Sequence, residues 1–398
     1  MSSNEWIDLH DQKACQDLAN TKKNDFLDCL DEASFQCFRE AYVIAKVSAW
    51  DPVLIMGPNG TGKTGYAKLI WNENECTDVP EEKRETLTLN CAAFPENLIE
   101  TELFGHDKGA FTDAKSESLG KIRTAYLNKQ CLFLDEVGDL PLSAQAMLLR
   151  FFDNGEVQPV GAPEPIRLKD FKASDIKDKK LKEKYSGKGA GNGNGKLKVV
   201  CATNKNLKEE IRKGNFREDL FNRMNKYCVE VPPLCIRPRD CEQNFDNFFN
   251  IRFKEKNKGA LWLDRLKIDR EGFGEANEKS GYQWPGNFRE LQNRLQQAIV
   301  RKLLNGGGTI GFDDLFPEGI AEAKARATNG EMGANTVLSD FGFPDPDGAL
   351  PQFDLPQKLS ELENAYIRKA LAQVKTQADA AKLLGYKSYQ TMGRRQKT

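Results

Sequence analysis

One lysine and a pair of carboxylates are the residues of this chain best suited to act together. Residues 57–64 read Gly57, Pro58, Asn59, Gly60, Thr61, Gly62, Lys63 and Thr64: a glycine, an intervening stretch, then Gly-Lys-Thr. Gly57, Gly60 and Gly62 can take positive φ and let backbone N–H groups turn inward on a phosphate. Lys63 adds a point charge and Thr64 a hydroxyl for Mg²⁺. Further on, the apolar run 131–134 ends in Asp135 and Glu136. A buried strand ending in two acids can place one on a metal shell and the other beside an attacking water. Asp135 is the metal-side candidate and Glu136 the base or water-orienting candidate.

Such residues need rigid elements to hold them. Apolar runs at 53–56, 86–90, 131–134, 198–202 and 227–231 alternate with helical patterns. That alternation predicts an α/β fold, a parallel sheet with helices on both faces and the ligand at the carboxyl ends of the strands. Residues 51–235 form this nucleotide-binding part, preceded by a helical lead-in over 1–50. Residues 236–328 read as a small helical lid, with Leu291, Leu295, Ala298, Ile299 and Leu303 on one stripe. Residues 169–196 turn from Lys-Asp-rich to Gly-rich and are expected to be a flexible surface insertion. Residues 329–357 read as a linker and 358–398 as a short helical unit.

Composition bounds the partners. A chain of 398 residues exceeds one ordinary core, so several units are expected. Lys+Arg 58 against Asp+Glu 59 gives a net charge of −1, so any contact with nucleic acid must be local. No apolar run approaches ~20 residues, and the N-terminus lacks a basic-then-apolar leader. The expectation is a cytoplasmic protein with no membrane partner and no complete sensory module ahead of residue 50. The ten cysteines are scattered without a Cys-x-x-Cys pair and read as reduced thiols; two histidines, His10 and His106, leave little material for a zinc centre or a His-based triad.

The base and the transition-state charge come from two further stretches. Thr203, Asn204, Lys205 and Asn206 are similar to a guanine-reading Asn-Lys-x-Asp sequence without its aspartate, which favours ATP. Thr203 and Asn204 then sit where a polar side chain senses the γ-phosphate. Arg217 and Arg223 offer positive charge for phosphoryl transfer; in the competing reading Arg223 pairs with Asp219 at i, i+4.

Over about residues 30–320 these motifs resemble the AAA+ domain of bacterial sigma-54-dependent transcription activators. The matching stretches are 57–64 (Walker A), 90–93, 102–114, 134–138 (Walker B), 202–204 (sensor I), 216–220 and 284–291 (sensor II), in family order. The resemblance implies that Lys63, Thr64, Asp135 and Glu136 bind and hydrolyse ATP·Mg²⁺. By the same resemblance Asn90 restrains Glu136, and Arg289 is the sensor II arginine. Arg217 and Arg223 match arginine fingers given across a subunit boundary, implying a homo-oligomeric ring, typically a hexamer. Residues 109–114 correspond to the family's GAFTGA loop, with Phe111 and Thr112 as the sigma contact and Asp113 in place of a glycine.

At the C-terminus, residues 379–395 read as helix, glycine turn and polar helix, similar to the family's Fis-type helix-turn-helix. Ser388, Tyr389, Gln390 and Thr391 would face bases of double-stranded DNA, and Lys387, Arg394, Arg395 and Lys397 its phosphates. The implied function is an activator that binds an upstream DNA site and uses ATP to remodel the closed complex of the sigma-54 RNA polymerase holoenzyme. Control is expected from a separate regulatory protein, from expression level or from a further domain. The alternatives are an AAA+ remodelling ATPase with a different protein client, and a DNA-binding protein with a vestigial ATPase.

Overall fold

The computed structural model describes residues 11–19, 29–75, 77, 79–80, 83–111, 114–186, 196–258, 260 and 262–328. Thr112, Asp113, the expected linker 329–357 and the expected helix-turn-helix, with Lys387, Ser388, Tyr389, Gln390, Thr391, Arg394 and Arg395, lie outside the described residues.

The chain divides into two units. The first comprises Met1–Asp240 with Asn287–Arg289, the second Cys241–Gly286 with Glu290–Thr398. The first unit opens with helices α1 (Gln12–Ala19) and α2 (Glu32–Val47), then strand β1 (Val53–Met56) and helix α3 (Lys63–Asn72). Strand β2 (Thr86–Asn90) and helices α4 (Glu96–Phe104) and α5 (Gly120–Asn128) lead to β3 (Cys131–Asp135) and α6 (Leu142–Asn154). A short hairpin, β4 (Glu156–Val157) and β5 (Ile166–Arg167), precedes α7 (Lys179–Tyr185). Strand β6 (Val199–Thr203), helices α8 (Leu207–Arg212) and α9 (Glu218–Met224), and β7 (Cys228–Glu230) complete it.

The five-stranded sheet has the order β2-β3-β6-β1-β7 with every pairing parallel. Successive strand residues point to opposite faces, and here both faces are dry. Leu54, Leu132, Leu134, Val199 and Cys201 pack on one side with Ile122, Tyr126, Leu148 and Leu220. Val53, Ile55, Cys131, Phe133, Val200 and Ala202 pack on the other with Phe38, Ala41, Tyr66 and Trp71. The near-continuous apolar runs in the sequence are the consequence of this two-sided burial. Because β6 and β7 flank β1, the chain leaves β1 for the far edge and returns, and the loop after β1 lies at the switch point where ligands bind in such sheets.

Residues 169–186 differ from the flexible insertion expected of them. Phe171, Ile176 and Tyr185 are buried in the first core, and the Asp178 carboxylate accepts a bond from Leu181 N to cap α7. Three spaced apolar anchors hold a stretch whose average composition is that of a linker.

In the second unit, α10 (Pro238–Asn247), which starts in the first, runs through a π-helical stretch (Phe248–Phe253) into α11 (Lys254–Lys256). Strand β8 (Leu266–Ile268), α12 (Arg270–Ser280), α13 (Asn287–Leu304), β9 (Gly308–Ile310) and α14 (Ile320–Thr328) follow. The unit is mainly helical, and β8 pairs in parallel with β9, which follows the glycines that end α13. The core is aromatic: Phe245 stacks on Phe273 at 4.1 Å, and Trp284 Nε1 donates to Asn277 Oδ1 at 2.8 Å. Arg294 is closed in by Glu290 at 2.8 Å and Glu318 at 2.9 Å.

The described cysteines carry no disulfide, and burial pushes the thiols of Cys37, Cys91 and Cys131 up to about 12. Among the described residues no helix is long and apolar enough to cross a membrane, and no group of His, Cys, Asp and Glu is arranged to hold a metal by itself.

Candidate nucleotide site

The loop between β1 and α3 is held from three sides. Gly57 N donates to Thr203 O at 3.2 Å, and a side chain at 57 would meet Val231 O at 2.6 Å, so close approach requires the glycine. Gly60 and Gly62 have φ of 77° and 97°, and Gly62 caps α3 where a Cβ would meet nothing within 4 Å. The first N–H groups of a helix lack intrahelical partners, and this end of α3 favours an anion. Lys63, only 7% exposed, donates to Gly57 O at 2.8 Å and lies 3.9 Å from Glu136 Oε1. Burial holds its ammonium below the ordinary lysine range and Arg289 adds to this, while Glu136 and Asp135 act against it. An ammonium so placed gains most from a phosphate, whose charge compensates its desolvation.

Asp135 ends β3 in direct register with Asn90, and its Oδ1 accepts from Glu136 N at 3.1 Å. Glu136 stands at φ 53°, ψ 47°, a left-handed conformation uncommon for this residue type. That turn aims the carboxylate across the strand ends, where its Oε2 accepts from the backbone N–H of Asn204 at 3.1 Å. Lys63, Asp135, Glu136 and Asn204 thus converge. Thr64 is exposed at the start of α3. The donor set, one hydroxyl and two carboxylates beside an anion cradle, fits Mg²⁺ carried in on phosphate oxygens, since no protein cage of its own is present among the described residues.

Other expected residues fall differently. Asn90 does not hold Glu136: its side chain accepts from Ala92 N at 3.0 Å and caps a 3₁₀ turn, while Glu136 is engaged by Asn204 and Lys63. Asn206 caps α8 by accepting from Glu209 N, a use that needs no base. Arg217 forks onto Asp219 at 3.0 and 2.7 Å, so the Arg223–Asp219 pair considered from spacing is replaced; Arg223 donates to Phe152 O at 2.9 Å and faces Asp153. Both arginines are 41% exposed. Phe111 is 44% exposed, with its ring 5.0 Å from that of His106, on a turn closed by Gly109 N to Ala114 O at 2.9 Å.

Sequence reasoning missed two supports. Asn287, at φ 52°, donates to Asn59 O at 2.8 Å and accepts from Leu234 N at 2.7 Å, while Phe288 N donates to Gly60 O at 3.0 Å. This clamp brings Arg289 to the loop. Arg237, 1% exposed, pairs with Asp240 at 2.8 Å and lies over the Phe288 ring at 4.8 Å. Asp240 Oδ1 in turn accepts from Leu30 N at 2.6 Å. The Pro-Gly-Asn-Phe-Arg sequence signalled the first; nothing local signals the second, whose partners lie far apart in the chain.

Sheet order, phosphate loop and paired carboxylates define a nucleotide-binding domain of the AAA+ type. The model of the Sigma-54 interaction domain matches residues 30–188 and 187–230, and the chain belongs to that family. It is 34% identical over 287 residues to the nitric oxide reductase transcription regulator NorR2 of Cupriavidus necator, covering 72% of this chain and 47% of that protein. Over 357 residues it is 32% identical to the DNA-binding transcriptional regulator NtrC of Rhizobium meliloti, covering 86% and 64%. The chain therefore spans about half to two thirds of the length of these relatives. Among solved structures, NtrX from Brucella abortus in complex with ATP is similar in fold, with a TM-score of 0.55 at 21% identity, covering 96% of this chain and 71% of that one.

Replacing Asn287 by alanine removes the two side-chain bonds of the clamp, those to Leu234 N and Asn59 O, and leaves the Phe288 N bond to Gly60 O. We expect a loss of about 2–4 kcal/mol in denaturant unfolding and weaker nucleotide binding by calorimetry. Unchanged stability and affinity would show that the clamp does not hold the loop.

Proposed function

We propose that this protein is a sigma-54-dependent transcription activator: an ATPase that assembles into a ring, binds DNA, and couples hydrolysis to remodelling of the sigma-54 RNA polymerase closed complex. The observation that carries this reading is the convergence of Lys63, Asp135, Glu136 and the Asn204 amide around the open end of α3, in a chain of the Sigma-54 interaction domain family. The relatives named above are transcription regulators, and the NtrX neighbour is in complex with ATP.

In this reading the loop amides and Lys63 hold the β- and γ-phosphates, Thr64 and Asp135 hold Mg²⁺, and Arg289 faces the same phosphates. The metal ion supplies charge neutralisation on the phosphate oxygens. Glu136 accepts a proton from, or orients, the attacking water, and Asn204 fixes its carboxylate. Arg217 and Arg223 have their contacts on Asp219, Asp153 and Phe152, and none with Lys63, Asp135 or Glu136 among the described residues. Exposed arginines at the start of α9 and on it, with no contact among the described residues to Lys63, Asp135 or Glu136, suit a neighbour's phosphate, which supports a ring; a hexamer is the closure we propose. Phe111 and Thr112 are the proposed sigma contact, and residues 358–398 the DNA reader.

Glu136→Gln is expected to retain ATP binding and lose hydrolysis by ~10²-fold or more, measured as phosphate release and nucleotide titration; full hydrolysis would remove Glu136 from the mechanism. Protein held on an ATP transition-state analogue should retain sigma-54 on a column, and Phe111→Ala should not. Capture of neither would favour the reading with another client. In gel shifts, removing residues 358–398 should abolish retardation of the cognate duplex, and unchanged retardation would place DNA binding elsewhere.

A further inference from the structure

Gln145 is fully buried in the first turn of α6, and every hydrogen bond of its amide goes to backbone of two separate segments, the turn ending at Leu140 and residues 215–217. Its Nε2 donates to Leu140 O at 2.7 Å and to Asn215 O at 3.0 Å, and its Oε1 accepts from Arg217 N at 2.8 Å. Leu140 closes the turn that begins at Glu136, where Asp139 N donates to Glu136 O at 2.9 Å and Leu140 N to Val137 O at 3.2 Å. The same turn is pinned by Lys205, which pairs with Asp139 at 2.6 Å, next to the Asn204 that holds the Glu136 carboxylate. A continuous bonded path thus runs from Glu136 through Leu140 and Gln145 to the main chain of Arg217.

We infer that Gln145 is a positioning residue that sets the Arg217 finger according to the state of its own subunit's Glu136 turn. The inference rests on the shared-site reading above. A buried primary amide suits this task because it donates and accepts at once; no aliphatic or carboxylate side chain of the same length can do both. Among the described residues the Arg217 side chain bonds only Asp219 and is exposed, so the finger is placed by its backbone. That backbone is held by Gln145 and the buried Phe216, together with Asn215 N on Glu210 O at 2.9 Å and Phe221 N on Arg217 O at 3.1 Å. A shift of the Glu136 turn moves Leu140 O, and the amide carries the displacement to residues 215–217.

The test is steady-state hydrolysis by Gln145→Glu, which keeps the acceptor for Arg217 N and loses the donors to Leu140 and Asn215. Gln145→Met, which loses all three bonds at similar volume, is the second variant if the first does not fold. We expect kcat to fall ~10- to 100-fold with ATP affinity nearly unchanged, as for a misplaced group of ~1 Å. Mixing with Lys63→Ala subunits, which cannot hydrolyse but carry intact fingers, should restore turnover, as it should for Arg217→Ala. Unchanged kcat in the folded variants overturns the inference. So does a loss that Lys63→Ala subunits fail to rescue while they do rescue Arg217→Ala, since the defect then lies in the variant's own site. If Arg217→Ala is not rescued either, the shared-site reading fails and takes this inference with it.

Discussion

Parallel pairing of β6 with β1 on one side and β3 on the other fixes how far the phosphate loop lies from the paired carboxylates. Lys63 opens the helix that follows the loop after β1, Glu136 follows the end of β3, and the Asn204 amide follows the end of the strand between them. A register slip of one residue would exchange the two faces of β6, burying Val200 and Ala202 against the wrong helices. The apolar pattern of β6 therefore determines where the Glu136 carboxylate stands relative to Lys63. Lys63 in turn depends on that spacing, because a buried ammonium is tolerable only with carboxylates near it or a phosphate replacing them.

The strands were legible because burial on both faces leaves unbroken apolar runs, and the phosphate loop because its glycines have few other uses. Asp135 and Glu136 were legible as a pair. Which partner holds Glu136 was not, because the left-handed turn at that residue redirects its side chain toward a backbone N–H, a donor present at every non-proline position. Asn90 points to its own 3₁₀ turn for a similar local reason: an Asn after a strand finds a backbone amide two residues on more easily than a side chain across the sheet.

Residues 169–186 were misread because composition averages over a window, whereas folding depends on single anchors. Phe171, Ile176 and Tyr185 are few among many lysines and aspartates, yet each is buried. Gln145 and Arg237 escaped for the opposite reason. They are polar residues in helical contexts where a solvated face is the ordinary expectation, and their meaning comes from partners that only the fold brings near.

The resting contacts of Arg217 and Arg223 bear on how such a protein responds to ionic strength. Both arginines already hold carboxylates, Asp219 and Asp153, at the surface. Reaching a phosphate would exchange one anion for another, and added salt screens the old pair as it screens the new one. The exchange is then nearly neutral in Coulomb terms. Geometry, the fixed backbone that presents the arginine, is left to decide the balance.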